Sequence, residues 1–366
     1  MKWNWSKIHG TSPPPTWNLV LAPLSMIYGL GAKIHMGAIG RKKKKILPGF
    51  VASVGNLTTG GTGKTPAVLM LARWAAARGH RVAVLSRGYG GRYQNGVLVV
   101  SDPGKGLLAD PRESGDEPFL LASRLKGIPV IVSKDRFRAG MLAHEKFGTD
   151  FFLLDDGFQH LNLHRDLDLV LLDAEHPFGN GHLLPRGPLR EPVGHLERAD
   201  AFILTRSDRV KDLSPIENFF NSRFPRIPLF KGRHVPEAIH FPREGRTCGL
   251  DFLKGKRIAA FAGIARPETF LDTLSGLGAI PVSFSVFADH HPFNPGEIRH
   301  LLRLKEESGA QYLVTTEKDW VRIKDIVSGI PDLAFLRIAF DLSPTQDFFH
   351  MMEEAVEKSA RAETSS

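Results

Sequence analysis

The chain is almost without cysteine: Cys248 is the only one among 366 residues. A single thiol excludes a framework of intrachain disulfides and any zinc site built from several cysteines, and it fits a reducing, cytosolic compartment. Internal repeats and low-complexity tracts are also missing, and a composition of 42% hydrophobic and 24% charged residues is that of an ordinary folded protein. Disordered, collagen-like and polytopic membrane proteins are therefore excluded, and the length favours two domains.

The N-terminal region lacks charge from residue 11 to residue 32, and a run of five cations follows at 41–45. The apolar part is shorter than the roughly 20 residues of a spanning helix, and Pro23 interrupts it. It fits better a segment lying in the membrane interface, with Trp17 and Tyr28 at the headgroups and the cations facing an anionic leaflet. A helix docked on the protein's own core and a signal sequence are the alternatives. Nucleic-acid binding is not expected, because no aromatic residues alternate with the cations.

After residue 45, apolar runs alternate with helical periods, which is typical of a parallel sheet covered by helices. Strands are predicted at 50–54, 81–86, 96–100, 129–132, 150–154, 168–172, 201–205, 256–262, 281–287, 311–315 and 334–338, and helices at 64–78, 116–126, 137–147, 267–277, 295–308 and 346–358. The stretch 226–246 has no clear period and is interpreted as a linker. We therefore expect a membrane-associating segment (1–45), an α/β domain (46–225), the linker and a smaller α/β domain (247–366), with a cleft between the two domains.

The segment 54–66 (VGNLTTGGTGKTP) lies between a predicted buried strand and an alanine-rich helix. Glycines let backbone N–H groups approach a polyphosphate, the helix N-terminus supplies positive potential, and Lys64 reaches the outer phosphates. Thr65 would then ligate Mg²⁺. The usual spacing of this motif requires glycine where the chain has Thr58. A glycine-rich turn that binds no nucleotide is the alternative.

A P-loop enzyme also needs a carboxylate for the metal, usually at the end of an apolar strand. The segment 151–160 (FFLLDDGFQH) supplies Asp155 and Asp156 at such a position. If this strand neighbours the strand of the phosphate loop, both carboxylates lie beside the phosphates, where open α/β sheets bind ligands. One or both would bind Mg²⁺. An Asp-Asp-Gly turn that closes a hairpin is the alternative.

Phosphate transfer requires a group that aligns the acceptor hydroxyl and accepts its proton. Asp116 and Glu117 begin a predicted helix, where carboxylates also stabilise the helix end. His290 follows a strand of the second domain and would bring an imidazole across the cleft, although a solvated or metal-binding histidine pair fits the pattern equally well. Arg87 and Arg136 are candidate phosphate clamps, with surface salt bridges as the default alternative.

Seven motifs, in order along the chain, resemble the tetraacyldisaccharide 4'-kinase family of lipid A biosynthesis. They are GNLTTGGTGKTP at 55–66, SRGYG at 86–90, GDEP at 115–118, DDGFQH at 155–160, GPLREP at 187–192, FADHH at 287–291 and TTEKD at 315–319. The match covers nearly the whole chain, and the DDGFQ block with this phosphate loop is far more discriminating than a P-loop alone. The family's loop is itself irregular at the position of Thr58.

The resemblance implies a P-loop NTPase-like parallel-sheet domain, a second, smaller α/β domain and an N-terminal membrane-associating helix. It implies transfer of the γ-phosphate of ATP, with Mg²⁺, to the 4'-hydroxyl of an acylated glucosamine disaccharide 1-phosphate, which gives lipid IVA. The implied partners are this lipid and the membrane surface, at the cytoplasmic face of the bacterial inner membrane. Oligomeric state is not indicated.

The resemblance also assigns residues by motif. Asp116 matches the base or a part of it, and His290 its partner from the second domain. The nucleotide-binding residues are Thr58, Thr59, Gly60, Gly61, Thr62, Gly63, Lys64, Thr65, Arg136 and Gln159, and the metal candidates are Thr65, Glu117, Asp155 and Asp156. Glu191, in the GPLREP motif, is carried over as well, like Arg136. Because base and imidazole would come from different domains, we predict that the cleft closes before transfer.

Two interpretations from other classes stay open at this point. The segment GGTGKT at 60–65 also resembles loops of partner-activated ATPases, and 205–208 (TRSD) resembles a guanine-reading motif. The first class expects a lysine near Thr59, and the second prefers lysine where the chain has Arg206. Dependence on a lipid acceptor distinguishes such a switch from a kinase. A non-enzymatic membrane adaptor would leave the phosphate loop and the DDGFQ block unexplained.

Overall fold

The computed structural model describes residues 15–40, 43–93, 95–327 and 329–364. Arg41 and Lys42 of the cationic run and the side chain of Trp17 lie outside the described part. The helices are Pro15–Gly40 (α1), Lys64–Ala77 (α2), Pro111–Ser114 (α3), Asp116–Arg124 (α4), Arg136–Phe147 (α5), Ser214–Arg223 (α6), Pro267–Gly276 (α7), Pro295–Glu307 (α8), Glu317–Ile323 (α9) and Thr345–Thr364 (α10). Short 3₁₀ turns occur at Val193–Arg198, Ser207–Arg209 and Leu250–Leu253.

The strands alternate with these helices, as the sequence predicts. They are Phe50–Asn56 (β1), Val82–Ser86 (β2), Leu98–Asp102 (β3), Gly106–Leu107 (β4), Val130–Val132 (β5), Phe151–Asp155 (β6), Leu167–Asp173 (β7), Ala201–Thr205 (β8), Leu229–Phe241 (β9), Arg246–Cys248 (β10), Arg257–Ala262 (β11), Ile280–Val286 (β12), Tyr312–Thr316 (β13) and Leu333–Ser343 (β14). Within the described ranges they form one 14-stranded sheet in the order β12-β11-β13-β14-β9-β8-β7-β1-β6-β2-β5-β3-β4, with β10 beside β9. The expected mixed α/β class is confirmed.

The centre of the sheet places the two predicted nucleotide motifs side by side. Strand β1, which leads into the phosphate loop, pairs in parallel with β6, and Val54 stands opposite Asp155. All residues of both strands are buried, as continuous apolar strands covered on two faces should be. The parallel pairing excludes the hairpin alternative for the Asp-Asp-Gly segment.

The segment 226–246 is not irregular, so the interpretation of it as a linker without regular structure is wrong. Its 13-residue strand β9 pairs in parallel with β8 and antiparallel with β14. It thereby joins the two halves of the sheet and of the molecule: the first contains strands β1–β8, and the second contains strands β11–β14. The period of two is broken because the register with β14 shifts next to Pro236, leaving Glu237 as an extra residue. Bulges and prolines interrupt alternation in this way.

The C-terminal helix α10 lies on the first half of the molecule, although the predicted boundary places it in the smaller domain 247–366. Phe348 and Met352 are buried in the same core as the apolar face of α2. Phe349 stacks on Trp74 at 5.4 Å between ring centroids, and Glu353 accepts a hydrogen bond from Arg78 at 2.7 Å. The chain therefore returns to the first core after it has completed the second.

Helix α1 has a docked side and an exposed side. Leu21 and Ser25 are buried, and the Ser25 hydroxyl donates to the carbonyl of Leu183 at 2.9 Å. The Tyr28 hydroxyl donates to the carbonyl of Arg190 at 3.0 Å. The exposed side presents large apolar residues to solvent: Leu19, Val20, Leu24, Met26, Ile27, Leu30 and Ile34. No described helix, α1 included, has the length and hydropathy that crossing a bilayer requires.

Candidate active site

The phosphate loop connects the end of β1 to the start of α2. Gly63 precedes the helix with a left-handed backbone (φ 84°). The ammonium of Lys64 folds back over the loop, where it donates to Oδ1 of Asn56 at 3.0 Å and lies 3.4 Å from Oδ1 of Asp156. The amide of Asn56 in turn donates to the carbonyl of Thr58 at 2.6 Å. Lys64 is therefore held at the mouth of the loop, where outer phosphates are bound in this motif.

Thr58 explains the unusual spacing of the motif. Its backbone forms a β-bridge with Leu189, and the N–H of Thr59 donates to the carbonyl of Pro188 at 2.8 Å. Thr58 does not have the positive φ for which glycine is favoured. A neighbouring chain segment holds this part of the loop, so a glycine is not required there.

The rest of the loop is available to a ligand. Thr62 and Thr65 are buried, and the hydroxyl of Thr62 has no hydrogen-bond partner within the described residues. Gly60 has a φ of 110°, and the carbonyl of Gly61 accepts a hydrogen bond from Arg206 at 2.8 Å. Arg206, which stands where a guanine-reading motif prefers lysine, also pairs with Asp173. This arginine therefore supports the phosphate loop from the end of β8, two strands away from β1 in the sheet.

Two adjacent carboxylates at the end of β6 face this loop and differ in environment. Oδ2 of Asp155 accepts from the hydroxyl of Ser86 at 2.9 Å, whereas its Oδ1 is buried without a partner in the described chain. Burial and the charges of Glu117 and Asp156 raise the pKa of Asp155 to about 6. Burial also acts to raise the pKa of Asp156, but Lys64 and Arg190 outweigh it and the net shift is downward.

Gln159 and Arg190 connect these groups. The Gln159 amide donates to the carbonyl of Asn56 at 3.0 Å, and its Oε1 accepts from Nη1 of Arg190 at 3.2 Å. The same Nη1 lies 3.0 and 2.9 Å from the two oxygens of Asp156. Sequence reasoning assigns no role to Arg190, although it stands in the GPLREP segment. Its place in that motif is the only signal that could have pointed to it.

Glu117, at the start of α4, lies near enough to the loop to feel the charge of Lys64. Its Oε1 accepts from Nζ of Lys318 at 2.6 Å. The charge of Lys318, opposed by burial and assisted by Lys64, lowers the pKa of Glu117 to about 2. Lys318 belongs to α9, so the second half of the molecule supplies a cation to this site.

Asp116 and His290 are brought together, as the resemblance implies. Oδ2 of Asp116 lies 3.4 Å from Nδ1 of His290, which has a left-handed backbone (φ 57°) in the loop after β12. The same oxygen accepts from Nε of Arg322 at 2.6 Å. Burial acts to raise the pKa of Asp116, but the charge and the hydrogen bond of Arg322 act against burial, and the net shift is downward. Sequence reasoning missed Arg322; its spacing of one helical turn after Asp319 in the TTEKD segment was the available signal.

Arg136 is a buried cation near the carboxylates. Its Nη1 donates to the carbonyl of Ser133 at 3.4 Å, and its Nε has no partner in the part of the chain that the structure describes. Burial, opposed by Asp155, lowers the pKa of Arg136 to about 10, so it remains charged at neutral pH. Among the described residues it forms no salt bridge, so the alternative of a surface salt bridge does not apply to it. A buried cation without a carboxylate partner is suited to binding an anionic ligand. Arg87 is exposed.

Glu191 does not contact the charged residues around the phosphate loop. It is buried and accepts from Nη2 of Arg198 at 2.7 Å and from Nδ1 of His195 at 3.0 Å when the proton is on that nitrogen. Arg198 also stacks on the ring of Phe158, 4.5 Å from its centroid. Glu191 therefore anchors the 3₁₀ turn beside α1.

The residues present fit a magnesium ion that is shared with phosphate oxygens. Across the described ranges, no three His, Cys, Asp or Glu side chains are arranged as a ready metal site. Mg²⁺ bound to nucleotides uses one or two carboxylates, waters and the phosphates themselves. The unpartnered Oδ1 of Asp155, crowded by Glu117 and Asp156, is a place where a cation would relieve repulsion.

A strand, a glycine-rich loop and a helix that begins Lys-Thr, with an aspartate at the end of the neighbouring parallel strand, define a P-loop phosphoryl-transfer protein. The model of the family described as "Tetraacyldisaccharide-1-P 4'-kinase" matches residues 17–357. The chain belongs to this family.

Curated relatives and a solved structure agree. The tetraacyldisaccharide 4'-kinase of Syntrophus aciditrophicus is 42% identical over 346 residues, 92% of each chain, and that of Pelobacter propionicus is 44% identical over 306 residues, 83% of this chain and 82% of its own. The crystal structure of LpxK from Aquifex aeolicus in complex with ATP is 32% identical and superposes with a TM-score of 0.74, covering 92% of this chain and 98% of its own. The expected P-loop NTPase-like fold is thereby confirmed.

Proposed function

We propose that the residues around the phosphate loop carry out the reaction of this family. As a member of it, the chain is an ATP-dependent kinase that phosphorylates the 4' position of a tetraacylated disaccharide 1-phosphate, the lipid A precursor. The observation that supports the proposed roles best is the convergence of Lys64, Asp155, Glu117 and Asp116 around one loop. A nucleotidase switch has no use for a carboxylate poised beside an imidazole outside the phosphate loop.

The loop binds ATP. Backbone N–H groups of residues 60–63 and the positive end of α2 hold the phosphates, and Lys64 offsets charge on the γ-phosphate. Arg136, buried and without a carboxylate partner among the described residues, adds a second cation, and Gln159 fixes the backbone of Asn56. We expect this part of the site to bind nucleotide without the lipid.

Thr65, Asp155, Asp156 and Glu117 are the residues that would hold Mg²⁺, with Asp155 the first choice because its Oδ1 lacks a partner among the described residues. Bound there, the ion would offset the negative charge of the phosphates. Lys64 and Arg190 pair with Asp156 and keep it ionised beside the site.

Asp116 accepts the proton of the 4'-hydroxyl as that oxygen attacks the γ-phosphorus, while the bond from this phosphorus to the β–γ bridging oxygen breaks and ADP leaves with the electron pair. The carboxylate is ionised at neutral pH, since its pKa lies below the ordinary value. Catalysis of this kind depends mainly on positioning, because the transferred phosphoryl group needs an aligned nucleophile more than a strong base. His290 approaches Asp116 from the opposite half of the molecule, so the lipid headgroup would be enclosed between the halves.

The lipid reaches this site from a membrane surface through α1. The exposed apolar side of that helix and the exposed cations Lys43 and Lys44 suit insertion into an anionic interface, whereas Lys45 pairs with Asp135. Tyr28 and Ser25 tie the helix to the segment 183–190 that also carries Arg190, so the membrane-facing helix is directly connected to the phosphate site. We place the enzyme at the cytoplasmic face of the inner membrane, where ATP is available.

The experiment is transfer of label from γ-labelled ATP to tetraacyldisaccharide 1-phosphate in detergent with Mg²⁺. Labelled lipid that is lost in Lys64→Ala and kept in Lys146→Ala, whose side chain pairs with Asp102 away from the loop, would support the proposed roles. Release of inorganic phosphate at the same rate without lipid would favour the switch instead.

A further inference from the structure

Arg322 contacts several members of the proposed acceptor site at once. Its side chain is only 6% exposed. Nε donates to Oδ2 of Asp116 at 2.6 Å, Nη2 lies 3.0 Å from Nδ1 of His290, and Nη1 donates to the carbonyl of Gly263 at 2.9 Å and to Oδ1 of Asp319 at 2.8 Å. One guanidinium therefore connects both halves of the molecule.

The distances show that Asp116 binds Arg322 more strongly than it binds His290. A contact of 2.6 Å between a guanidinium and a carboxylate is a short, charge-assisted hydrogen bond, whereas 3.4 Å to His290 is at the limit of one. Both contacts use the same oxygen, Oδ2. Oδ1 of Asp116 has no partner within the described ranges and is left for the acceptor hydroxyl.

The same guanidinium restricts the protonation of the imidazole. Arg322 can only donate hydrogen bonds. Its Nη2 at 3.0 Å therefore requires Nδ1 of His290 to accept, which leaves the proton of a neutral ring on Nε2. In that tautomer, Nδ1 cannot donate to Asp116. The imidazole consequently presents an N–H on its far side, away from Asp116.

Arg322 is itself held firmly. Asp319 is fully buried, and its Oδ2 accepts from the N–H of Gly263 at 2.9 Å and from the hydroxyl of Thr316 at 2.7 Å. Its Oδ1 accepts the hydrogen bond from Arg322. A side chain fixed by two anchors in one half of the molecule can impose a direction on a carboxylate in the other half.

We propose that Arg322 is a positioning residue that orients the carboxylate of Asp116 and sets the tautomer of His290, with Asp319 as its anchor. The inference rests on the proposed role of Asp116. It assigns a function to the last turn of α9, which lies beyond the TTEKD motif. In this arrangement, His290 interacts more closely with Arg322 than with Asp116.

The test compares Arg322→Met and Arg322→Lys with Arg337→Met in the full-length enzyme. Arg337 bonds to Glu317 on the same helix and does not reach Asp116, so it controls for damage to α9. We expect kcat of Arg322→Met to fall about 100-fold with KM for ATP within about threefold, since alignment and not nucleotide binding is lost. Arg322→Lys should recover part of kcat, because an ammonium replaces one donor only. A kcat for Arg322→Met within about threefold of that for Arg337→Met would overturn the proposal.

A second measurement does not depend on activity. Nitrogen NMR of ¹⁵N-histidine-labelled enzyme distinguishes the two neutral tautomers of His290, assigned by comparison with a His290→Gln variant. We expect the Nε2–H form in the wild type and a mixture in Arg322→Met. An Nδ1–H or doubly protonated ring in the wild type would overturn the proposal. Asp116→Ala distinguishes failure of the proposed base from failure of the proposed role of Arg322. If Asp116→Ala retains turnover, Asp116 is not the base. The tautomer of His290 would still decide whether Arg322 orients the imidazole.

Discussion

The imidazole of His234 lies directly against Gly63 of the phosphate loop: a Cβ atom added to Gly63 would come within 2.3 Å of Nε2 of His234. His234 stands on β9, the strand that joins the two halves of the sheet. Its Nε2 is buried and has no hydrogen-bond partner in the described chain. The joining strand therefore supports the turn that starts α2, and the loop has no room for a side chain at this point.

We predict that Gly63→Ala abolishes tight ATP binding. The left-handed φ of 84° costs alanine about 1–2 kcal/mol, and the contact with His234 forces the loop to move as well. Affinity for ATP, measured calorimetrically, should fall at least tenfold. Gly79→Ala is the matched control, because Gly79 has a φ of 87° and nothing within 4 Å of its Cβ position. Equal ATP affinities in the two variants would contradict the prediction.

The burial of His234 predicts a pH effect on stability. Burial, followed by the charges of Arg206 and Lys318, lowers the pKa of His234 to about 3. The unfolded chain, with a pKa near 6.5, binds the proton more readily, so stability falls as the pH drops from about 6.5 toward 3. At pH 5 this amounts to at most about 2 kcal/mol for this one residue.

Urea unfolding at pH 7.5 and pH 5.0 would measure this effect. His234→Gln should lose less free energy of unfolding between the two pH values than the wild type does. His350→Gln, in which an exposed histidine is replaced, should behave like the wild type. Identical pH dependence for all three proteins would show that His234 is not buried in its neutral form.

Asp155 provides a prediction that separates stability from activity. Its carboxylate is buried, crowded by Glu117 and Asp156, and has a pKa raised to about 6, so Asp155→Asn relieves repulsion in the protein without nucleotide. We expect an unfolding temperature equal to or above that of the wild type and a kcat reduced at least about 100-fold, as for other strained functional groups. Asp168→Asn is the contrast: it breaks a buried pair with Arg165 and should destabilise. A clear loss of stability in Asp155→Asn would contradict this account.

Features that depend on local patterns can be predicted from the sequence. The buried strands, the phosphate loop and the Asp-Asp pair follow from apolar runs and short motifs, because these features are continuous in the chain. Asp155 and Asp156 are expected beside the phosphates only if β1 and β6 are neighbours, and these strands pair in parallel. Thr58 looks irregular only because its partner Leu189 is far away in the chain, beyond the reach of any local pattern.

The parts that could not be predicted depend on contacts between distant segments. Strand β9 lacks alternation because of the bulge next to Pro236, so its sequence resembles that of a linker. Arg190, His234 and Arg322 become visible as site residues only when the sheet brings their segments to the loop. An arginine at the end of an amphipathic helix is ordinary in a sequence, and its importance lies in what it touches.

The exposed side of α1 leads to a prediction about membranes. Replacing Leu24, Ile27 and Leu30 together by serine removes three exposed apolar side chains without touching the docked residues Leu21 and Ser25. At about 1.5–3 kcal/mol for each side chain fully inserted, binding to phosphatidylglycerol vesicles should weaken at least 100-fold in a sedimentation assay. Activity on lipid dispersed in detergent should fall much less.

Ile280→Ser combined with Val286→Ser is the control for this experiment, because these residues are exposed and apolar but lie on β12. The control variant should bind vesicles as the wild type does. If the α1 variant also keeps its affinity, the apolar side of the helix is not the attachment site, and the cationic run at 41–45 would have to account for binding.

The contact between α4 and α9 permits a test of whether the two halves must approach each other. Val321 on α9 is 1% exposed and packs with Phe119 and Leu120 of α4. Val321→Asn places a polar group in this contact at a cost of about 1–3 kcal/mol, which favours separation of the halves. Since Asp116 lies on α4 and Arg322 on α9, separation would remove the partners of the proposed base while leaving the phosphate loop intact. We therefore expect kcat to fall at least tenfold with ATP affinity little changed.

Val327→Asn is the matched control. Val327 is also buried, but it packs inside the second half against Ile323 and Leu333 and does not reach α4. It should lower the unfolding temperature by a similar amount without the selective loss of kcat. If the two variants lose stability equally and keep equal kcat values, transfer does not depend on contact between α4 and α9. A selective loss in Val321→Asn would instead mean that this contact assembles the acceptor side of the site.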